Sequence, residues 1–394
     1  MTVEVEKLIY GGDGLSRVDG EVVLTPFVLP GESVEIQREP NRSGAARGQL
    51  VNVLRASEAR VTPPCPYFGR CGGCQYQHAA YEEQLAAKRA ILAETLARVG
   101  KIMETPEVQV IASHPPYGYR NRIQLHFENG RVGYRELRSH RFCAVDQCPI
   151  SSPRLNECIT ALNRMVRDRR WPEFLKTAEL FTNEQHVQLN VLETLRPVAK
   201  RFFDWCAAEL PGYTPGAIDY DDFRVSYGSF FQVNRFLIQR LVEEVTAETG
   251  GTLAVDLYAG VGLFTLPLAR RFQRVIAVES GSGANRDLRF NAERAGVSPE
   301  SITESVDVYL AGLNESPDLV IADPPRSGLG RAVAKRIVEI KPKELVVVAC
   351  DPATLARDAQ VVLASGYRLS RLTVIDLFPQ TYHIETIARF TSSS

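Results

Sequence analysis

From residue 229 onward, short apolar runs alternate with helix-like segments, and this alternation restricts the fold more than any other feature of the chain. The runs at 253–257, 275–278, 319–322, 345–349, 373–377 and 384–390 have strand length and β-branched content, and each is followed by a short connection. Such an order predicts an α/β fold, a doubly wound Rossmann-like sheet over 229–394, with a ligand crevice at the carboxyl ends of its strands.

The crevice residues can be read one strand at a time. "AVDLYAGVGLFTLPLA", residues 254–269, is a strand, a glycine loop and a helix. Gly260 and Gly262 allow a tight turn and close backbone approach to a ligand, although G-x-G alone is a weak signal. A nicotinamide cofactor would want a third glycine where Leu263, Phe264 and Thr265 stand. Asp256 lies on the strand before the turn, where a carboxylate can accept from an ammonium group, as the methionine end of S-adenosylmethionine would require. Glu279 ends the next strand in "VIAVES", about twenty residues on, and can take both hydroxyls of a ribose. The plainer alternative is a surface Glu at a strand end. "LVIADPPRSGLG" ends the following strand in Asp323-Pro324-Pro325-Arg326. Amino-group methyltransferases carry an aromatic after the paired prolines, so Arg326 argues against an exocyclic-nitrogen target.

"VVVACDPATLARDA", residues 346–359, places Cys350 at the end of the next strand. Free cysteines are usually small core hydrophobes. A strand-end cysteine beside the same edge, with Glu385 starting the last strand, offers specific chemistry instead. Uracil C5 is too weak a nucleophile to attack a methyl sulfonium. Thiolate addition at C6 makes C5 nucleophilic, and a base must afterwards remove the C5 proton.

The first 228 residues are organised differently. Residues 1–56 alternate short strand-like segments with Gly-Gly, Asp-Gly and Pro-Gly breaks, the pattern of a small OB-like β-barrel. Residues 57–75 are rich in Pro, Cys and Gly, a helix is expected from Tyr81 to Val99, and 117–141 reads as a hairpin turning at Asn129-Gly130. That hairpin carries Arg120, Arg122, Arg131, Arg135, Arg138 and Arg141 among Tyr117, Tyr119, Phe127 and Tyr134. Arginine pairs with phosphate and aromatics stack on unpaired bases, so it is either an RNA-binding face or a solvated charged hairpin. A net charge of −1 requires any nucleic-acid contact to come from such local patches. No apolar run is long enough to span a membrane and no secretion signal opens the chain, so a cytoplasmic protein is expected. Among the 8 cysteines, "CPYFGRCGGC" sets Cys65, Cys71 and Cys74 close together. In a reducing compartment such clustering points to metal or chemistry rather than disulfides. The spacing fits neither a radical enzyme's C-x3-C-x2-C nor a two-pair zinc ribbon.

These motifs together resemble the S-adenosylmethionine-dependent RNA uracil-5-methyltransferase family, in its iron–sulfur, TRAM-bearing 23S ribosomal-RNA branch, over nearly the whole chain. Residues 350–358 follow the family's Cys-Asn-Pro-Ala-Thr-Leu-Ala-Arg-Asp except at Asp351, and His383-Ile384-Glu385 matches its His-x-Glu. The resemblance implies Cys350 as nucleophile and Glu385 as proton acceptor. It implies S-adenosylmethionine contacts from Gln232 in "SFFQVN", Tyr258 and Gly260 in the glycine loop, Asp256, Glu279 and Asp323. Some members carry Asn where this chain has Leu263. The family pattern adds a fourth cysteine followed by proline, supplied here by Cys148 in "DQCPI". Cys65, Cys71, Cys74 and Cys148 then imply a closed [4Fe–4S] cluster, with Cys143 a rival fourth ligand and zinc on the same thiolates a chemical alternative. The implied organisation is a TRAM-like RNA-binding barrel over 1–56, a cluster-bearing α+β domain over 57–228 and the catalytic domain over 229–394, in a monomer. The expected activity is conversion of a uridine to 5-methyluridine in 23S rRNA. A transfer-RNA T-loop enzyme, a cytosine-5 enzyme and a non-catalytic RNA chaperone are the alternatives.

Overall fold

The C-terminal alternation folds into one eight-stranded sheet in the computed structural model, which describes residues 1–39 and 44–392. In spatial order its strands are Glu300–Ile302, Phe272–Val278, Gly251–Leu257, Leu319–Ala322, Glu344–Ala349, Glu385–Ser392, Tyr367–Ile375 and Val108–Ile111. The first five run parallel, and Glu385–Ser392 runs antiparallel to both neighbours. The central strands are apolar at consecutive positions because helices cover both faces; Leu319–Ala322 is buried throughout. Helices Ser282–Arg294, Gly330–Glu339 and Pro352–Ala364 are among those covers.

Two strands of this sheet were not expected. Glu300–Ile302 is only three residues long and partly exposed. Val108–Ile111 lies far away in sequence and pairs parallel with Tyr367–Ile375. The expected helix runs over Tyr81–Arg98 and packs against Pro352–Ala364 through Leu92 and Leu96 on its buried side. The span 57–228 is therefore not one unit: its residues 81–111 serve the sheet expected to begin only at 229. A four-residue strand has no local signal that names so remote a partner.

The rest of 57–228 builds a five-stranded antiparallel sheet, Phe142–Ala144, Arg131–Arg135, Arg122–Glu128, Leu175–Thr182 and Val187–Thr194. Asn129 and Gly130 turn its central hairpin with φ of 51° and 65°, the left-handed pair of a type I′ turn. Helix Pro153–Met165 covers it, with a proline in its first turn and its N-cap Ser152 accepting from Leu155 N.

The N-terminal six strands order as Thr2–Glu4, Ser33–Arg38, Ala46–Arg55, Glu21–Pro26, Asp13–Val18 and Lys7–Leu8. The sheet curls around Val3, Val23, Val34 and Ile36, because its two end strands, Thr2–Glu4 and Lys7–Leu8, are separated only by Val5 and Glu6 in the chain. This is compatible with a barrel. No helix among the described residues is long and apolar enough to cross a membrane.

Candidate active site

Parallel strands that end side by side bring their next residues to a common edge, and four of the expected residues arrive this way. Tyr258 follows Leu257, Glu279 follows Val278, Asp323 follows Ala322 and Cys350 follows Ala349. The antiparallel strand completes the set from the opposite direction: Glu385 opens it, and the next residue, Thr386, pairs with Ala349.

At one end of the edge, Tyr258 and Gly260 hold left-handed φ of 62° and 55°, turning the glycine loop over the strand ends. Glu279 accepts from Gly260 N at 2.9 Å and from Gly281 N at 2.5 Å. Its carboxylate is thereby fixed across the mouth of the loop. Asp256 is buried; its Oδ2 accepts from Thr265 Oγ1, while its Oδ1 has no partner. Burial raises Asp256 to about 7 against the lowering effect of Thr265, and the nearby Asp323 and Glu279 raise it further. A buried acid with a free oxygen lacks a cationic donor, and the ammonium of an amino-acid ligand fits that need. Gln232 makes a long 3.5 Å contact from Nε2 to Asp323 Oδ2, and its own carbonyl accepts from Asn121 Nδ2 at 3.0 Å. These residues fit S-adenosylmethionine. Leu263 is instead part of the apolar core with Ile238 and Leu241, so the position where some relatives carry Asn contributes only packing here.

At the other end, Cys350, Glu385, Asp323 and Arg326 lie within electrostatic reach of one another. Burial pushes the Cys350 thiol up to about 11; Glu385 and Asp323 add to this and Arg326 opposes it. Burial likewise holds Glu385 well above the usual carboxylate range, with Asp323 raising it and Arg326 lowering it. Asp323 keeps part of its surface open to the crevice, yet the surrounding protein desolvates it enough to bring it to about 7. The group thus carries fewer negative charges at neutral pH than three free acids would. Arg326 is its compensating cation.

Asp351, where the resemblance leads one to expect Asn, has a local task. Its Oδ1 accepts from Ala353 N and Thr354 N, each at 2.9 Å, capping helix Pro352–Ala364 directly after the cysteine. Asn and Asp are equally good caps, so the exchange preserves the turn that presents the thiol. Tyr10, from the N-terminal sheet, donates to the Cys350 carbonyl at 3.3 Å and packs edge-on against Tyr382.

The loop before Glu385 is held from far away in sequence. Gln75 N and Tyr76 N both donate to Gln380 O at 2.9 Å, and Gln380 N donates to Gln84 Oε1 at 2.9 Å. The fully buried Lys88 donates to Asp376 Oδ1 at 2.6 Å and to Phe378 O at 2.9 Å. Tyr10, Lys88, Gln84 and Gln380 were not foreseen. Each is an ordinary residue in sequence, and a buried lysine in a helix declares itself only through its partner.

The tRNA (uracil-5-)-methyltransferase family model matches residues 307–390, the stretch that holds Asp323, Cys350 and Glu385. An "uncharacterized RNA methyltransferase" of Aquifex aeolicus is 34% identical, over 98% of this chain and 97% of its own. The "23S rRNA (uracil(1939)-C(5))-methyltransferase RlmD" of Legionella pneumophila is 30% identical, over 99% of this chain and 96% of its own. The chain belongs to the RNA uracil-5-methyltransferase family. It is an S-adenosylmethionine-dependent enzyme of that class. The crystal structure of Pyrococcus abyssi tRNA (uracil-54, C5)-methyltransferase in complex with S-adenosyl-L-homocysteine superposes with a TM-score of 0.79. It is 26% identical, covering 99% of this chain and 100% of that one.

In this methyltransferase Cys65, Cys71, Cys74 and Cys148 line one cavity of about 150 Å³, together with Phe68 and Ile150. Cys143 is buried within the edge strand Phe142–Ala144 of the five-stranded sheet and does not line this cavity. Among the described residues no three His, Cys, Asp or Glu side chains gather closely enough for a single ion. Ligands of one zinc must converge to about 2.3 Å from a point. Thiolates on the four irons of a cluster stand apart around a void, so the cavity fits a cluster better than one ion. Burial and the charges of the neighbouring sulfurs push Cys71 up to about 12 and Cys74 higher still, and a cation among them would favour their thiolate forms.

Most arginines of the hairpin in this methyltransferase meet carboxylates, while those at 131, 135, 138 and 141 stay at least partly exposed. Arg131 pairs with Asp146, Arg135 with Glu128, Arg138 with Asp13, Arg141 with Glu136 and the buried Arg122 with Glu179. Its aromatics face inward: Tyr119 is fully buried with its hydroxyl on Pro379 O, and Phe127 packs on Trp171.

Proposed function

We propose that this enzyme methylates C5 of a uridine in 23S rRNA through a covalent adduct between Cys350 and uracil C6. The observation that carries this reading is the convergence of Cys350 and Glu385, from neighbouring antiparallel strands, beside Asp323. Bound S-adenosylmethionine supplies an electrophilic methyl on a cationic sulfonium, whose charge also favours ionisation of the acids around it. Asp256 holds its ammonium group, Glu279 its ribose, and Gln232, Tyr258, Gly260 and Asp323 frame the remainder. Cys350 Sγ, deprotonated, bonds to C6, and the C5=C6 electrons move onto C5 and O4. C5 then takes the methyl group while the S–CH3 bond electrons return to sulfur, leaving S-adenosylhomocysteine, and C5 carries both the methyl and a proton. Glu385 removes that proton, the C–H electrons restore C5=C6, and the C6–S bond breaks to release the thiolate. Arg326 stabilises the negative charge that the thiolate brings to the edge.

The 23S target is supported by similarity to the Legionella enzyme over nearly the full length of both chains. The likeness to the Pyrococcus structure supports transfer RNA as the second reading. We further assign Cys65, Cys71, Cys74 and Cys148 to a [4Fe–4S] cluster, on the strength of their shared cavity. The cluster would tie the Cys71–Cys74 segment to Cys148. The residues after Cys74, Gln75 and Tyr76, hold the Gln380 loop. The curled N-terminal sheet is assigned as the TRAM-like RNA-binding barrel.

The decisive experiment incubates the enzyme and S-adenosylmethionine with 5-fluorouridine-substituted transcripts of 23S rRNA and of tRNA. A covalent band with the 23S transcript is expected. Fluorine cannot leave as a proton does, so the wild-type adduct persists; the band should be absent in Cys350→Ala, which has no nucleophile to add to C6. Trapping on the tRNA transcript alone would select the second reading, and trapping by the alanine variant would exclude the covalent mechanism.

A further inference from the structure

The paired arginines of the hairpin leave open which surface takes the RNA backbone beside the thiol, and the catalytic domain itself carries a candidate. Helices Gly330–Glu339 and Pro352–Ala364 pack side by side, leaving between them a surface groove of about 600 Å³. Arg331, Lys335 and Arg357 line it. All three are exposed, and none has a carboxylate partner among the described residues. Among the described residues, Arg357 donates a hydrogen bond only to the Ala353 carbonyl of its own helix. Arg336, on the same helix, is in contrast consumed by Glu339 and by the carbonyls of Leu310 and Leu313. One acid lines the groove, Asp358, and it is buried and occupied, accepting from Leu329 N and Gly330 N.

The position of the groove matters as much as its charge. Its near end is formed by Ser327, which follows Arg326, and by Thr354. Thr354 sits in the first turn after Cys350, with N and Oγ1 both bonded to Asp351. Its far end is at Ala364 and Ser365. Ten residues of helix separate the ends, about 15 Å at 1.5 Å per residue. A uridine whose C6 meets Cys350 must send its phosphate chain away along the surface beside the thiol. This strip of uncompensated cations begins there.

We propose that the groove between these two helices, through Arg331, Lys335 and Arg357, binds the phosphodiester backbone of the substrate RNA next to the target uridine. The inference rests on the RNA methyltransferase reading and adds to it the surface along which the strand runs. Phosphate contacts fix register without reading sequence, so the groove orients the chain and leaves base selection to the crevice. Each cation that neutralises a phosphate releases a counterion, and binding must therefore weaken with salt in proportion to their number.

The test compares the wild type with Arg331→Gln/Lys335→Gln/Arg357→Gln, titrating fluorescent 23S rRNA and tRNA transcripts by anisotropy between low and moderate salt. For the RNA that the wild type methylates, the triple variant should bind at least about tenfold more weakly. Its log K against log[salt] slope should be shallower by about 2, at roughly 0.7 per lost contact on single strands. S-adenosylhomocysteine affinity and the rate at saturating RNA should stay within about twofold, since these side chains touch neither cofactor nor thiol. Arg331→Lys/Arg357→Lys, which keeps the charge, should keep the slope. Unchanged RNA affinity and slope in the triple variant overturns the proposal while the enzyme still methylates. A wild type that methylates neither transcript defeats the underlying reading instead. Should the triple variant fail to fold, each single Gln variant must lower the slope by about 0.7 for the proposal to stand.

Discussion

Two regions of this enzyme are rich in arginine, and they use it in opposite ways. In the hairpin around Asn129-Gly130, five of the six arginines meet carboxylates, several of them from other elements: Asp13 from the N-terminal sheet, Asp146 and Glu179. These pairs tie the five-stranded sheet to its surroundings. Along Gly330–Glu339 and Pro352–Ala364, Arg331, Lys335 and Arg357 face solvent with no carboxylate partner among the described residues. An exposed ion pair is weak and can yield to a phosphate, but an unmatched arginine has no partner to give up first. If the groove proposal holds, the charge left over after folding, more than the charge counted along the sequence, marks the RNA surface.

The experiments that test this contrast most severely begin at the chemistry. Cys350→Ala should abolish methyl transfer while RNA and S-adenosylhomocysteine still bind, because the groove and the Asp256–Glu279 end are intact. Residual turnover in a tritium-release assay from 5-tritiated uridine RNA would place the nucleophile elsewhere.

Glu385→Gln keeps the size of the side chain and removes its basicity. Turnover should fall by about 10² to 10⁴. The methylated adduct should accumulate as a slow band on a denaturing gel, since addition and methyl transfer precede the proton removal. A variant that forms no adduct would make Glu385 a uracil-binding residue, and full activity would pass the role of base to Asp323.

The Asp256 end makes a pH prediction of smaller size. Asp256 and Asp323 stand at about 7 in the free enzyme. An ammonium bound at Asp256 favours its ionised form, so the complex lowers its pKa and binding releases protons. S-adenosylhomocysteine affinity should therefore fall up to about tenfold per pH unit below 7 and level off above it. Calorimetry at pH 6 in buffers of different ionisation heat should report the released proton, and a flat profile would mean that Asp256 meets no cation.

Tyr10→Phe removes the hydroxyl bonded to the Cys350 carbonyl. A net loss of about 0.5–1.5 kcal/mol predicts a twofold to tenfold lower kcat with RNA affinity unchanged. An equal change in RNA affinity would make Tyr10 part of the RNA surface instead. Smallest of all, Arg135→Gln and Arg141→Gln in the hairpin should each cost about 0.2–1 kcal/mol of stability and leave the salt slope of RNA binding within error. A hairpin variant that lowers the slope as much as a groove variant would erase the difference between the two regions.

The sequence by itself determined the doubly wound sheet, because buried parallel strands must be almost continuously apolar and 275–278, 319–322 and 345–349 are, while 253–257 breaks the rule only at Asp256. It also marked the strand-end residues Glu279, Asp323 and Cys350, since strands of one parallel sheet end at one edge. The Asn129-Gly130 turn was equally legible, as few other pairs accept two left-handed residues. Only the tertiary structure decided that Val108–Ile111 completes the catalytic sheet and that Tyr10 reaches the Cys350 carbonyl. It alone showed that Gln75, Gln84 and Lys88 hold the loop before Glu385, and which arginines remain unpaired. These are contacts between residues as many as 340 positions apart. Periodicity and spacing report a residue's face and its near neighbours, but a charge is matched or left free by whatever the fold brings against it.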